Sequence, residues 1–310
     1  AAMTLAFGRM VRQPRHGWLL YWVMMVLFVA GIVVCTWAER AGTPWAQAVG
    51  ADLATTVNGV AAPGGNMEGK ELRFGVDGSV LTAITTSNAS TGSYNSMHDS
   101  YTPVGGMILL INMLLGEIIF GGLGAGLYSM MMVVLLALFL CGLMVGRTPE
   151  YLGKKLGPRE TRMITLYTLA GTFAILIPTA IATAAPAGLA GLTTNQGAHG
   201  LTEILVAYTS SMANNGQSFA GLSANSPFYN STTAEVMVVG RFGLAVAALA
   251  LAGLLVMQPR RSTSEGTFRA DSPLFAIVVM GTAFVVVGLS YFPALALGPI
   301  VEQLMMLRGT

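Results

Sequence analysis

Residues 86–92 read Thr86-Ser87-Asn88-Ala89-Ser90-Thr91-Gly92, and residues 210–216 read Ser210-Ser211-Met212-Ala213-Asn214-Asn215-Gly216. Both follow one pattern: Thr or Ser, then Ser, any residue, Ala, two of any kind, and Gly, at an offset of 124 residues. Each is preceded by a short, mildly apolar segment, residues 80–86 and 201–208. Neither is long enough to cross a bilayer, which takes about 20 helical residues. Full-length apolar runs flank both. The unit is therefore span, short re-entrant segment, glycine-ended hydroxyl and amide loop, span, and it occurs twice. Irregular backbone survives at membrane depth only where it is buried in protein or lines a wet cavity. Loops of this kind can offer carbonyl oxygens in place of a cation's water shell, and Gly92 and Gly216 permit the turns this needs. Ordinary turn-rich outer loops would have a similar composition; the repetition with matching flanks favours a pore loop.

Working outward, the apolar runs fall at residues 17–38, 104–145, 163–185, 234–257 and 274–297. The chain has 54% hydrophobic and 10% charged residues over 310 positions, far from the roughly 25% charged of a soluble domain. The run 104–145 is too long for one straight crossing and is interrupted at Phe120-Gly121-Gly122-Leu123-Gly124-Ala125-Gly126, so it reads as a broken helix. Basic residues divide by side. Arg9, Arg12, Arg15, Arg147, Lys154, Lys155, Arg159, Arg162, Arg260, Arg261 and Arg269 lie on one side; Arg40, Lys70, Arg73 and Arg308 lie on the other. The positive-inside rule makes the richer side cytoplasmic. The start of the chain is then cytoplasmic, and both glycine-ended loops and the C-terminus are extracytoplasmic. The predicted class is an all-α polytopic membrane protein: repeated helix, re-entrant pore loop and helix units, a broken intramembrane helix and one extra C-terminal transmembrane helix. Residues 1–158 form one repeat, with its pore loop at 80–95. Residues 159–258 form the next, with its pore loop at 201–217, and 259–310 hold a cytoplasmic linker and the final span. The opening Ala1-Ala2, without Met, suggests a fragment or a processed chain.

Several strings are specific enough to carry a family resemblance. They are Thr55-Thr56-Val57-Asn58-Gly59, Met67-Glu68-Gly69-Lys70-Glu71-Leu72-Arg73-Phe74-Gly75, Ser96-Met97-His98-Asp99-Ser100, residues 146–155 (GRTPEYLGKK) and Ala220-Gly221-Leu222-Ser223-Ala224-Asn225. Through nearly its whole length the chain resembles the A subunit of the Kdp potassium-transporting ATPases. That family has four fused channel-like repeats of the potassium-transporter superfamily, and this chain is similar to the third, the fourth and the last helix. The resemblance implies filter segments at Ser90, Thr91 and Gly92 and at Asn214, Asn215 and Gly216; the family's other two filter segments have no counterpart here. It also implies potassium as the transported ion, a bacterial inner membrane, and three partners: a P-type ATPase subunit that hydrolyses ATP, a single-span accessory subunit and a small membrane peptide. A gradient-driven channel or transporter of the same superfamily is the alternative.

Other residues bear on the ion path. Arg241 lies inside a span, where a charge costs about 2.5–3.5 kcal/mol on insertion scales. It is either half of an interhelix ion pair or a fixed positive charge below the filter that stops cations leaking inward. Glu117 maps onto Arg241 at the same 124-residue offset. It reads as a tunnel entrance or, alternatively, as a partner for Arg241 or for backbone donors. Gly121, Gly122, Gly124 and Gly126 form a packing surface or a loop that gates, and their density favours the loop. Residues 64–70 fit a phosphate-loop spacing, but Glu71 follows where Ser or Thr is needed. His98 and Asp99 lack a nearby nucleophile and read as structural. Cys35 and Cys141 read as packing residues. There is no Asp-Lys-Thr-Gly phosphorylation string, metal-ligand cluster or organic-cofactor motif, and the net charge of +2 gives no case for nucleic acid.

Overall fold

The computed structural model describes residues 2–50, 54–57, 60–62, 64–122, 126–146, 149–259 and 270–308. Among the described residues, thirteen α-helices run in the order α1 Ala2–Met10, α2 Pro14–Ala41, α3 Pro44–Ala48, α4 Gly75–Ala89, α5 Pro103–Leu114, α6 Gly126–Val145, α7 Pro158–Ala184, α8 Pro186–Leu189, α9 Gly197–Ala213, α10 Pro227–Val238, α11 Leu244–Met257, α12 Pro273–Leu295 and α13 Val301–Arg308. Among the described residues strand forms two small hairpins, β1 Thr55–Val57 with β2 Val60–Ala62, and β3 Glu150–Tyr151 with β4 Lys154–Lys155. Five helical segments among the described residues are long and apolar enough to cross a membrane: Pro14–Ala48, Gly126–Met144, Pro158–Ala184, Pro227–Met257 and Pro273–Arg308. The protein is thus an all-α polytopic membrane protein. Large apolar side chains such as Trp22, Phe173, Leu249 and Leu289 stay exposed on these helices, as expected where the surrounding solvent is lipid.

Local sequence explains most boundaries. Proline occupies the first turn of α2, α3, α5, α7, α8, α10 and α12, where its missing N–H costs nothing. The hydroxyls of Thr102 and Ser226 cap α5 and α10 by accepting from Gly105 N (3.2 Å) and Tyr229 N (3.3 Å). Those two caps are 124 residues apart, and each helix that follows has 12 residues. The repeat seen in the loops therefore extends through the helices behind them.

The short helices α4 and α9 form the interior. In α9 every residue from 202 to 210 is buried. Ile204, Leu205 and Tyr208 join Leu110, Ile118, Met130, Tyr229, Phe275 and Val279 in the main core. Val80, Ala83 and Ile84 of α4 pack with Cys35, Tyr101 and Leu109 in a smaller one. Buried polar ties fix these layers. Lys70 and Glu39 form an ion pair at 2.8 Å with both side chains fully buried. Glu39 also accepts from Thr102 N (2.8 Å), the Thr102 hydroxyl (2.7 Å) and Asn66 (2.9 Å). Lys70 further sits 4.1 Å from the Tyr101 ring centre. Breaking such a pair costs about 3–5 kcal/mol, because the remaining charge is stranded. Lys70 is therefore a structural residue, as the rejection of a phosphate loop expects. Lys154 donates to Gln258 O (2.8 Å) and so ties β4 to the end of α11.

Three boundaries differ from the sequence-based expectation. The re-entrant helices are longer than the segments 80–86 and 201–208, with 15 and 17 residues; their polar ends are held by tertiary contacts that hydropathy does not register. The stretch 2–10, which falls before the first apolar run, is helix α1. It packs closely on α2, where a β-carbon at Gly8 would lie 2.9 Å from Gly17 Cα. The break in the long apolar run begins at Leu115, ahead of Phe120. Gly124, Arg147 and the basic residues of 260–269 lie outside the described residues.

Candidate functional site

Each re-entrant helix ends in the same way. Ser90 closes α4 at φ 58°, ψ 39°, and Asn214 closes α9 at φ 57°, ψ 32°. Both are left-handed, a conformation disfavoured for any residue with a β-carbon. Two residues later Gly92 and Gly216 take φ of +69° and +73°. The hydroxyls of Thr86 and Thr91 hydrogen-bond at 2.6 Å across the first loop, and Ser93 N donates to Thr86 Oγ1 at 2.9 Å. In the second loop Ser210 Oγ donates to Asn215 Oδ1 at 2.7 Å, and Gln217 N donates to the same oxygen at 2.9 Å. Thr91 and Asn215 thus hold their own loops closed.

The two loops meet. Ser90 Oγ donates to Ala213 O at 3.3 Å. The Tyr94 hydroxyl donates to Ser218 O at 3.1 Å and accepts from Ser218 N. A β-carbon at Gly92 would collide with the carbonyl oxygen of Asn215, whereas one at Gly216 would meet nothing within 4 Å. Of the residues singled out from sequence, Ser90, Thr91, Gly92, Asn214, Asn215 and Gly216 are therefore gathered at one junction.

Glu117 and Arg241 lie next to it. The break after α5 is made by left-handed residues, Gly116 (φ +76°), Glu117 (φ +59°) and Phe120 (φ +52°). At the corresponding point α10 passes through a π-helical turn, Val239–Gly243, and continues into α11. Glu117 is 4% exposed, and its Oε1 has no hydrogen-bond partner. Arg241 is exposed within this chain. Both line a cavity of about 140 Å³ with Asn214, Thr209, Ser129 and Tyr167. No ion pair within 4 Å joins the two charges, so the paired reading of Arg241 with Glu117 does not describe this geometry. Gly121 and Gly122 lie in non-helical backbone. A β-carbon on Gly122 would be 3.1 Å from Ala89 O, which puts the break against the first loop.

Residues that sequence reasoning passes over complete the picture. Buried side-chain atoms without a hydrogen-bond partner include those of Asn88, Glu117, Thr209, Asn215 and Gln217, all within or beside the two loops and the cavity below them. Such orphan groups are uncommon in a packed interior. Asn112 donates to Ser87 Oγ at 3.0 Å and braces the end of α4. The 124-residue offset was the available signal: it aligns Thr86 with Ser210, Thr91 with Asn215 and Ser93 with Gln217. His98 is buried with its ring centre 4.5 Å from that of Tyr94, and its Nε2 has no hydrogen-bond partner, so it packs there and does not form the structural bond expected of it at that atom. Asp99 instead pairs with His199 at 3.0 Å. Together with Glu203 these form a group able to hold a metal ion, which no local spacing announces.

Residues 1–304 match the family described as potassium-transporting ATPase A subunit. A protein of Mesorhizobium japonicum is 50% identical over 309 residues, covering 100% of this chain and 52% of its own length. Proteins of Methylobacterium nodulans and Bradyrhizobium diazoefficiens are each 51% identical, covering 98% and 100% of this chain and 51% and 52% of their own length. All three are named potassium-transporting ATPase potassium-binding subunit. The chain spans about half the length of these relatives, and it belongs to the family of potassium-transporting ATPase A subunits.

Proposed function

We propose that this chain selects and conducts potassium as part of an ATP-driven import complex in a bacterial plasma membrane. The observation that carries the reading is the paired geometry of the loops. Two short helices, offset by 124 residues, each end in a left-handed residue, Ser90 or Asn214, with a left-handed glycine two positions on, and their loops touch. Carbonyls of Ser90 to Gly92 and Asn214 to Gly216 supply oxygens to a dehydrated K⁺. The names of the relatives support the choice of ion.

Below the loops, Glu117 lowers the energy of a cation that has left the filter, since intramembrane acids mark ion pathways. Arg241 lines the same cavity and opposes direct leakage down the span. Gly121 and Gly122 leave the backbone beside the first loop free to gate. The two units correspond to the third and fourth channel-like repeats of the family. Their loops lie extracytoplasmically and the start of the chain is cytoplasmic. ATP hydrolysis resides on a P-type ATPase partner, accompanied by a single-span subunit and a small membrane peptide.

The test is potassium uptake by cells or vesicles bearing the complex, with membrane potential clamped and ATP depleted. Loss of uptake supports the pump. Uptake that persists and follows the ion gradient identifies the alternative, a gradient-driven transporter of the same superfamily.

A further inference from the structure

Four ionisable side chains from three parts of the chain converge away from the loops. Asp99 comes from the turn His98–Ser100, His199 and Glu203 lie one turn apart on α9, and Glu302 is on α13. His199 Nε2 lies 3.0 Å from Asp99 Oδ1 and 3.8 Å from Glu203 Oε1, and its Nδ1 lies 2.7 Å from Glu302 Oε1. One donor atom from each of Asp99, His199 and Glu203 falls within 4.8 Å of the others. Ligands about 2.1 Å from a tetrahedral ion sit about 3.4 Å apart; the observed 3.0 and 3.8 Å lie on either side of that spacing.

Two further observations point to a ligand. The Glu203 side chain is 0% exposed, and its Oε2 has no hydrogen-bond partner. Its Oε1 accepts from Asn195 Nδ2 at 2.9 Å, and the same amide reaches Asp99 Oδ2 at 3.3 Å and Thr194 Oγ1 at 3.1 Å. A buried carboxylate with a free oxygen calls for a cation. Secondly, Glu302 is placed to accept from Nδ1–H of His199, the arrangement that fixes the tautomer and turns the Nε2 lone pair toward a metal.

We propose that Asp99, His199 and Glu203 bind a first-row divalent cation, Zn²⁺ or Mn²⁺, with Glu302 orienting the imidazole. A nitrogen ligand suits such an ion rather than K⁺. The side chains of His199 and Glu302 are 18% and 21% exposed, which gives the ion access. Bound metal would clasp the start of α9 to the 98–100 turn and to α13.

The experiment strips the purified, detergent-extracted complex with chelator and titrates it with Zn²⁺ and Mn²⁺, reading bound metal by elemental analysis and Mn²⁺ by paramagnetic resonance. Stoichiometric binding is expected, weakened about 100-fold in Glu203→Gln and about 10-fold in Glu302→Gln. A folded wild-type complex that takes up neither metal overturns the proposal and leaves an imidazolium among three carboxylates. Binding unchanged in Glu203→Gln overturns it equally, since the metal then sits elsewhere.

Discussion

The loops at 90–92 and 214–216 reach the same backbone shape by different chemistry. In the first, hydroxyls do the work: Thr86 bonds Thr91 and accepts from Ser93 N. In the second, a single carboxamide oxygen on Asn215 takes both bonds, from Ser210 and from Gln217 N. The shared element is the main chain, left-handed at the helix end and again at the glycine. Side chains at these positions therefore brace the loop, and the carbonyls are what the geometry preserves. Behind the loops the units part company. α5 breaks at Gly116 and Glu117, while α10 runs on through Gly240 and Arg241. One copy thus supplies a buried acid and a bend, and the other a base on an unbroken helix.

The largest expected contrast is between the two glycines. Gly92→Ala adds a clash with Asn215 O to an unfavourable φ, and should destabilise the protein by about 2–5 kcal/mol. Gly216→Ala meets no atom within 4 Å in this chain and should cost only the backbone term, about 1–2 kcal/mol. Thermal unfolding of the purified variants compares them; equal losses would break the asymmetry.

Asn215→Ala leaves the Ser210 hydroxyl and Gln217 N–H without their acceptor and should cost about 2–3 kcal/mol. Thr91→Ala removes one hydroxyl while the Ser93 N bond to Thr86 remains, and should cost about 1 kcal/mol. Hydrogen exchange at residues 93 and 217 reports each loop separately. Faster exchange at 93 than at 217 across the two variants would reverse the assignment.

The two charges sharpen the difference below the loops. Glu117→Gln should slow potassium-stimulated turnover about tenfold, equivalent to about 1.4 kcal/mol of barrier, with little change in the half-saturating potassium concentration. Arg241→Gln should instead raise ATP-independent potassium flux in vesicles. Identical phenotypes would mean that the pair acts as one structural unit. The smallest effect is Tyr94→Phe, which removes the bridge to Ser218 at a cost of about 1 kcal/mol, visible as faster amide exchange in both loops.

Much of this molecule is legible in sequence because it repeats and because lipid demands long apolar runs. The five spans and the 124-residue offset that aligns the two loops follow from those two facts. The break was visible as a glycine-rich patch at 120–126, yet it starts at Leu115, because Glu117 and Phe120 adopt left-handed backbone that no residue type enforces. The Glu39–Lys70 pair and the Asp99–His199–Glu302 links join residues from 31 to 103 positions apart. Such contacts leave no periodicity to read. The 124-residue offset relates Glu117 to Arg241, but only the fold shows that they share a cavity without forming an ion pair.

The central claim is that the two loops are ion-selecting. Its most direct test is potassium-stimulated ATPase activity of the assembled complex carrying Gly92→Ser or Gly216→Ser, titrated with potassium, rubidium and sodium. A rise of about tenfold or more in the half-saturating potassium concentration, or a new response to rubidium or sodium, is the predicted result. Unchanged affinity and selectivity in both folded variants would contradict it and make these segments ordinary loops.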